Sequence, residues 1–272
     1  MSQFYLYNFF ARVNIYLPLI VAVALIVIGI IIIACRVKQT KFLGLYILIP
    51  AAASLLYNIS YIGMRYFSDS DKYAKLLTSS SAVSFIGMLA GTFFLCLYIH
   101  KTYGNKFIYI PLMLTPVIVI AATNITIAVL NRTLSQSITS GMRIIYWQSM
   151  SSVILGFVGG IVTTVFVVLA FYRNKDKETV IPKAWLVSLI ETICGAFYTF
   201  FQIFYYGVEA ASGGAYEYGI HGGSAFFGDW YQISGKLSLF FGITNTLVAL
   251  IFPVYVLIMV CKARRRTKLE QP

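Results

Sequence analysis

Seven long apolar runs constrain this chain more than any other feature of its sequence. Each has between 18 and 27 residues, and a hydrocarbon core of about 30 Å needs about 20 helical residues to cross. In lipid, a helix satisfies every backbone hydrogen bond within the segment itself. The sequence therefore predicts an all-α membrane protein, a bundle of seven transmembrane helices. The predicted spans are 15–35, 42–64, 81–98, 107–130, 146–172, 184–206 and 237–261.

The composition agrees with a chain that lies almost entirely in the bilayer. Of the 272 residues, 59% are hydrophobic and 11% are charged, which leaves too little polar surface to cover a soluble globule. The connections between the runs are too short to hold a second domain. We expect a single transmembrane domain over 1–272, with the lipid bilayer as its partner and the plasma membrane as its location.

The basic residues divide unevenly between the two sides of the predicted bundle. Fourteen of the 21 Lys and Arg residues fall on the side of the first, third and fifth connections and of the C-terminus, and seven fall on the other side. Cytoplasmic loops carry the excess of Lys and Arg, so the N-terminus is predicted outside and the C-terminus in the cytoplasm. The net charge of +12 follows from this orientation, and no basic patch with stacking aromatics points to a nucleic-acid partner.

One acidic residue lies inside a predicted span. Glu191 comes eight residues after Lys183, which is about 12 Å along the sixth helix from its inner end. An ionisable group at that depth is costly unless it is paired, protonated or wetted. Three interpretations stay open: a neutral Glu bonded to a neighbouring helix, a switch contact in a receptor, or an ion-coupling carboxylate in a transporter.

Other polar side chains lie at middle to outer depths of several predicted helices. If they converge, they form a mainly apolar pocket with a few orienting hydrogen bonds, which is typical of a small-molecule site. The alternative is a set of separate interhelical hydrogen bonds together with an aromatic belt at the interface. The candidate pocket residues are Asn58, Tyr61, Asn124, Tyr198, Gln202, Tyr205 and Asn245.

Prolines and glycines indicate where helices bend and where they pack. A proline removes one backbone hydrogen bond and clashes with the preceding turn, so kinks are expected at Pro50, Pro116 and Pro253. Glycines four residues apart favour close helix contact. We expect such contacts at the Gly87/Gly91 pair and at the Gly156/Gly160 pair.

Two modification sites and one long loop complete the candidates outside the pocket. Asn131 begins an Asn-x-Thr sequon after the fourth run and is a candidate for glycosylation, the alternative being a chance match. Cys261 lies beside a basic cluster at the end of the last run and is a candidate for lipidation, the alternative being an ordinary buried thiol. Residues 207–236 are predicted to form an outer loop, either a lid or flexible filler.

No enzyme signature is found. The sequence has two histidines and none of the motifs that hold a catalytic metal, a nucleophilic serine or a phosphate. We expect no enzyme activity, no cofactor and no metal.

Some stretches resemble a known receptor family. The seventh run has Pro253 followed by aliphatic residues and the basic exit Lys262-Ala-Arg-Arg-Arg266, and the first two runs are joined by a basic hinge at 36–41 followed by Phe42-Leu-Gly-Leu-Tyr-Ile47. These features resemble nematode serpentine chemoreceptors of the gamma class. The Asp-Arg-Tyr motif of rhodopsin-like receptors is absent, with Tyr98-Ile-His100-Lys101 in its place.

This resemblance implies a chemosensory G-protein-coupled receptor. Its ligand would be an external small molecule, and its partner a heterotrimeric G protein. The alternative function is a small-solute or ion transporter that uses a mid-membrane polar site including Glu191.

The uneven distribution of basic residues gives a prediction about topology. Epitope tags on intact cells should be accessible to antibody at Met1 and protected at Pro272 until the cells are permeabilised. If both tags label on the same side, the seven-span orientation is wrong.

Overall fold

The computed structural model describes residues 2–66, 70–134, 140–174, 180–212 and 225–269. Within these ranges the chain is helical apart from short turns, and no strand is present. The helices are α1 (Ser2–Ala34), α2 (Thr40–Tyr66), α3 (Ser70–Tyr103), α4 (Tyr109–Leu134), α5 (Ser140–Tyr172), α6 (Ala184–Ser212), α7 (Ala225–Val248) and α8 (Ile251–Leu269).

Seven stretches of helix in the described part of the chain are long and apolar enough to cross a membrane. They have 23 to 32 residues each, and the last includes parts of both α7 and α8. The prediction of an all-α bundle with seven transmembrane helices is confirmed, while the orientation of its termini stays a prediction. The spans are Arg12–Ala34, Thr40–Gly63, Ser79–Tyr103, Tyr109–Thr133, Trp147–Tyr172, Ala184–Gly207 and Gly235–Arg266.

The seventh span is interrupted near its middle. Helix α7 ends at Val248 and α8 begins at Ile251, and Leu250 N–H donates to the Leu247 carbonyl at 3.0 Å, as in a tight 3₁₀ turn. Pro253 lies two residues inside α8, where it has no N–H to offer to the carbonyl of Ala249. By contrast, α2 and α4 continue as helices through Pro50 and Pro116.

The helices follow one another around a ring. Neighbours in the chain pack together from α1 to α7, and α1 closes the ring through contacts with α7 and α8. The contact between α3 and α4 is smaller than those on either side of it. Helix α8 also touches α2 and α6, so the second half of the seventh span lies against three other helices.

The buried core lies at the end of the bundle that carries the basic loops, here called the basic end. Its residues come from the last turns of α1, α3 and α5, from the first turns of α2 and α4, from the start of α6, and from α8. Tyr98, Ile99 and Leu112 are almost completely inaccessible there. The helices are therefore packed most tightly at the basic end.

Hydrogen bonds hold the short connections at the basic end. Gln39, between α1 and α2, donates through Nε2 to the Lys101 carbonyl at 2.9 Å, and its Oε1 accepts from the Thr102 hydroxyl at 2.8 Å. At the start of α6, Lys183 N–H donates to the Tyr255 hydroxyl of α8 at 2.8 Å. The first two bonds tie the α1–α2 turn to the end of α3, and the third ties the start of α6 to α8.

The two glycine pairs differ in what surrounds them. A Cβ added at Gly87 would collide with the Ala53 side chain, and one added at Gly91 would collide with Pro50, so this pair packs α3 closely against α2, as expected. A Cβ at Gly156 or Gly160 would meet nothing within 4 Å. The expectation of a helix contact at Gly156 and Gly160 is wrong, because both glycines border open space.

The expected outer loop at 207–236 is largely helical in the described residues. Helix α6 continues to Ser212, and α7 begins at Ala225, so 213–224 alone lie outside the described residues in this stretch. Neither flank contains a proline, and a helix satisfies its own backbone as well in water as in lipid. The lid interpretation rests on 213–224 and stays a prediction.

We predict that an added methyl group destabilises the α2–α3 contact. Gly87→Ala and Gly91→Ala should each lower the free energy of unfolding by about 1–3 kcal/mol, the usual cost of overpacking, because their Cβ atoms would meet α2. Thermal unfolding of the purified protein in detergent measures the change. Gly156→Ala is the matched control and should melt like the wild type. Equal melting of all four proteins would contradict the packing described here.

Candidate functional site

A central cavity of about 680 Å³ lies within the ring of helices. Its walls come from α1 to α6 and from the junction between α7 and α8, and they are mostly apolar. Pro50, Pro116 and Pro253 all line it, although they lie on three different spans. The volume and the character of the walls suit a drug-sized or smaller ligand.

Glu191 lies in the wall of this cavity and contacts the broken span. Its Oε1 accepts a hydrogen bond from the backbone N–H of Phe252 at 2.9 Å. Phe252 is in the first turn of α8, where backbone N–H groups have no partner within their own helix. The carboxyl group of α6 therefore caps the N-terminal end of α8, where the helix dipole also favours a negative charge.

Hydroxyl groups surround Glu191 on the side of the basic end. A smaller cavity of about 250 Å³ shares Glu191 with the central one. The Thr192 and Thr164 hydroxyls, from α6 and α5, lie 2.8 Å apart within hydrogen-bonding distance. The hydroxyl residues that line this smaller cavity are Tyr46, Thr92, Thr163, Thr164, Ser188 and Thr192.

The floor of the smaller cavity is hydrophobic. Leu95, Leu112 and Val167 line it, and all three belong to the buried core at the basic end. The polar space around Glu191 therefore ends on packed apolar side chains.

Three of the predicted pocket residues do come together. Tyr198, Gln202 and Asn245 line a side cavity of about 340 Å³ between α5, α6 and α7, and Gln202 Nε2 donates to the Tyr198 hydroxyl. The side cavity and the central cavity share the walls formed by Gly156 and Gly160.

The other four predicted pocket residues line none of these cavities. Asn58 donates to the Ser54 hydroxyl at 3.3 Å, one turn back on its own helix. Asn124 is exposed on α4, and Tyr61 and Tyr205 are partly buried. These four side chains do not join the other three at the side cavity. A sequence gives the depth of a residue in the membrane, but not the direction in which its side chain points.

The hydroxyl residues around Glu191 were not among the site residues predicted from the sequence. Thr163 and Thr164 follow the Gly159-Gly160 pair on α5, and Thr192 adjoins Glu191. A run of Thr beside small residues in an apolar helix is a weak signal, since Thr usually bonds back to its own helix. Here Thr92 does so, donating to the Met88 carbonyl at 2.9 Å.

The two candidate modification sites lie in helices. Asn131 is exposed in the last turn of α4, not in the loop after it, and its Oδ1 accepts from Gln148 at 2.8 Å. Cys261 lies within α8 and is partly buried against the core, where it interacts with Cys35, the residue that follows α1. Glycosylation and lipidation stay predictions. No group of three or more metal-binding side chains occurs among the described residues.

Comparisons with protein-family models, with curated proteins and with solved structures found no match to this chain.

The contact between Glu191 and Phe252 predicts different effects for two substitutions. Glu191→Ala leaves the Phe252 N–H without a partner, which should cost about 1–3 kcal/mol of unfolding free energy. Glu191→Gln keeps an acceptor oxygen and should retain most of the stability. Thermal unfolding in detergent compares the two. An Ala variant that melts with the wild type would show that this bond contributes nothing to stability.

Proposed function

We propose that this chain is a receptor of the chemosensory G-protein-coupled type that binds an external small molecule. The observation that carries the proposal is the central cavity of about 680 Å³ within the bundle. A ligand that fills such a cavity would contact α1 to α6 and the break in the seventh span at once.

The hydrophobic floor favours a receptor. Leu95, Leu112 and Val167 separate the hydroxyl-lined space from the basic end, which is predicted to face the cytoplasm. A closed floor keeps a ligand on one side, so its effect must be passed on through the helices.

The broken span offers a route for that effect. Glu191 lines the cavity and holds the start of α8. Farther along α8, Tyr255 accepts from Lys183 at the start of α6. A ligand that changes the Glu191 contact therefore acts on a helix that extends to the basic end, where a cytoplasmic partner would bind.

A second candidate function is a small-solute or ion transporter. The observation in its favour is the interrupted seventh span, whose second half begins at a carboxyl group in mid-membrane. Many transporters place broken helices with free helix ends at their substrate site. In that case the floor of Leu95, Leu112 and Val167 would be an inner gate.

Filling the cavity tests the receptor proposal. Cells expressing the wild type would be exposed to a panel of six- to ten-carbon amines, alcohols and carboxylic acids while cytoplasmic Ca²⁺ and cyclic AMP are recorded. Gly160→Val places its side chain in open space on the cavity wall. It should weaken any response about tenfold, which corresponds to about 1.4 kcal/mol of lost binding.

The matched control is Val158→Phe, which adds bulk on the exposed side of α5 and should respond like the wild type. Proteoliposomes containing the purified chain would be tested for uptake of the same compounds. Uptake without any cytoplasmic signal would contradict the receptor proposal and favour the transporter.

A further inference from the structure

A carboxyl group lies in the central cavity without a cation to pair with it. Of the described residues that line the cavity, none is Lys, Arg or His, and the protein group that contacts Glu191 directly is the neutral N–H of Phe252. A buried carboxylate is strongly unfavourable unless an opposite charge or a proton neutralises it. A cationic ligand can take the place of that proton, so the site favours a ligand that brings a positive charge.

The surroundings of Glu191 can accept an ammonium group. Glu191 bonds to Phe252 through Oε1, and a carboxylate has two oxygens with about four acceptor positions. Hydroxyls of Tyr46, Thr92 and Thr164 line the same space and can accept further N–H donors. The Tyr46 and Phe252 rings lie edge to face, with centroids 6.2 Å apart, and aromatic faces attract organic cations.

The rest of the cavity does not suit a bare metal ion. Its volume of about 680 Å³ is mostly bounded by apolar side chains such as Leu25, Ile47 and Val119. A hard cation needs about six oxygen ligands in a compact shell, whereas these walls suit hydrocarbon. A carboxylate ligand would be repelled by Glu191.

We infer that the central cavity binds a small protonated amine with an apolar body, its ammonium group against Glu191 and its hydrocarbon against the apolar walls. This inference rests on the proposed function, since it names the class of ligand for the same cavity. It assigns Glu191 as the residue that selects the charge of the ligand.

Three compounds of similar size test the charge selection. They have eight carbons each: 2-cyclohexylethylamine, 2-cyclohexylethanol and cyclohexylacetate. Each is added to the purified full-length chain in nanodiscs, and binding is measured by calorimetry and by the shift in unfolding temperature. The amine should bind about 30-fold more tightly than the alcohol, the effect expected for about 2 kcal/mol from a buried charge pair. The carboxylate should bind most weakly.

Two variants separate charge selection from occupancy of the cavity. Glu191→Gln should abolish the difference between amine and alcohol by weakening the binding of the amine. Gly160→Val, which fills the wall, should weaken both compounds to a similar extent. Parallel titrations with NaCl and with KCl test whether a simple inorganic cation gives the same stabilisation.

Each negative result contradicts a different part of the argument. If amine and alcohol bind the wild type equally, or if Glu191→Gln binds the amine as the wild type does, the amine inference is wrong while the cavity remains a ligand site. If Na⁺ alone stabilises the wild type but not Glu191→Gln, the site is a cation site and the inference is also wrong. If Gly160→Val affects neither compound, they bind elsewhere and the proposed receptor site fails as well.

Discussion

The arrangement of this bundle depends on how it satisfies the backbone at Pro253. In the bilayer there is no water to bond a free N–H or carbonyl group, so a break in a helix must find partners within the protein. Pro253 cannot donate to Ala249, and the N–H of Phe252 donates to Glu191 of α6 instead of completing the helix. The Glu191 side chain thus stabilises the break in the seventh span. In return, the free N–H of Phe252 gives this carboxyl group a hydrogen-bond donor at a depth where few are present.

This interaction lies between two regions of different packing. Towards the basic end, buried side chains from all seven spans form one core, and hydrogen bonds from Gln39 and to Tyr255 hold the connections. In the middle of the membrane, the Gly156 and Gly160 positions of α5 leave open space. Contacts in a membrane interior gain little from burial of apolar surface, because lipid is equally apolar. An open centre therefore costs less here than it would in a soluble protein, provided the ends of the helices are held.

The sequence predicted the elements well because each prediction depended on a local property. Span length, hydropathy and the position of Glu191 along α6 all follow from counting residues along one helix. The site was predicted less well, because it depends on the rotation of each helix about its axis. Asn58 and Asn124 have the right depth but lie away from the cavity. The prediction for Gly156 and Gly160 failed for the same reason, since a small residue permits a close contact without requiring one.

The proposed binding of a cation at Glu191 would strengthen the cap that this residue provides for α8. The carboxyl group holds Phe252 through Oε1, so an ammonium group can bind at the other oxygen without displacing this bond. A positive charge nearby also keeps the carboxyl group ionised, and an ionised oxygen accepts a stronger hydrogen bond from an N–H than a neutral one does. A ligand that stabilises the charged carboxylate therefore tightens the junction between α6 and α8. Such coupling is reciprocal. If the ligand raises the affinity of the basic end for a partner by some factor, the partner raises the affinity of the cavity for the ligand by the same factor.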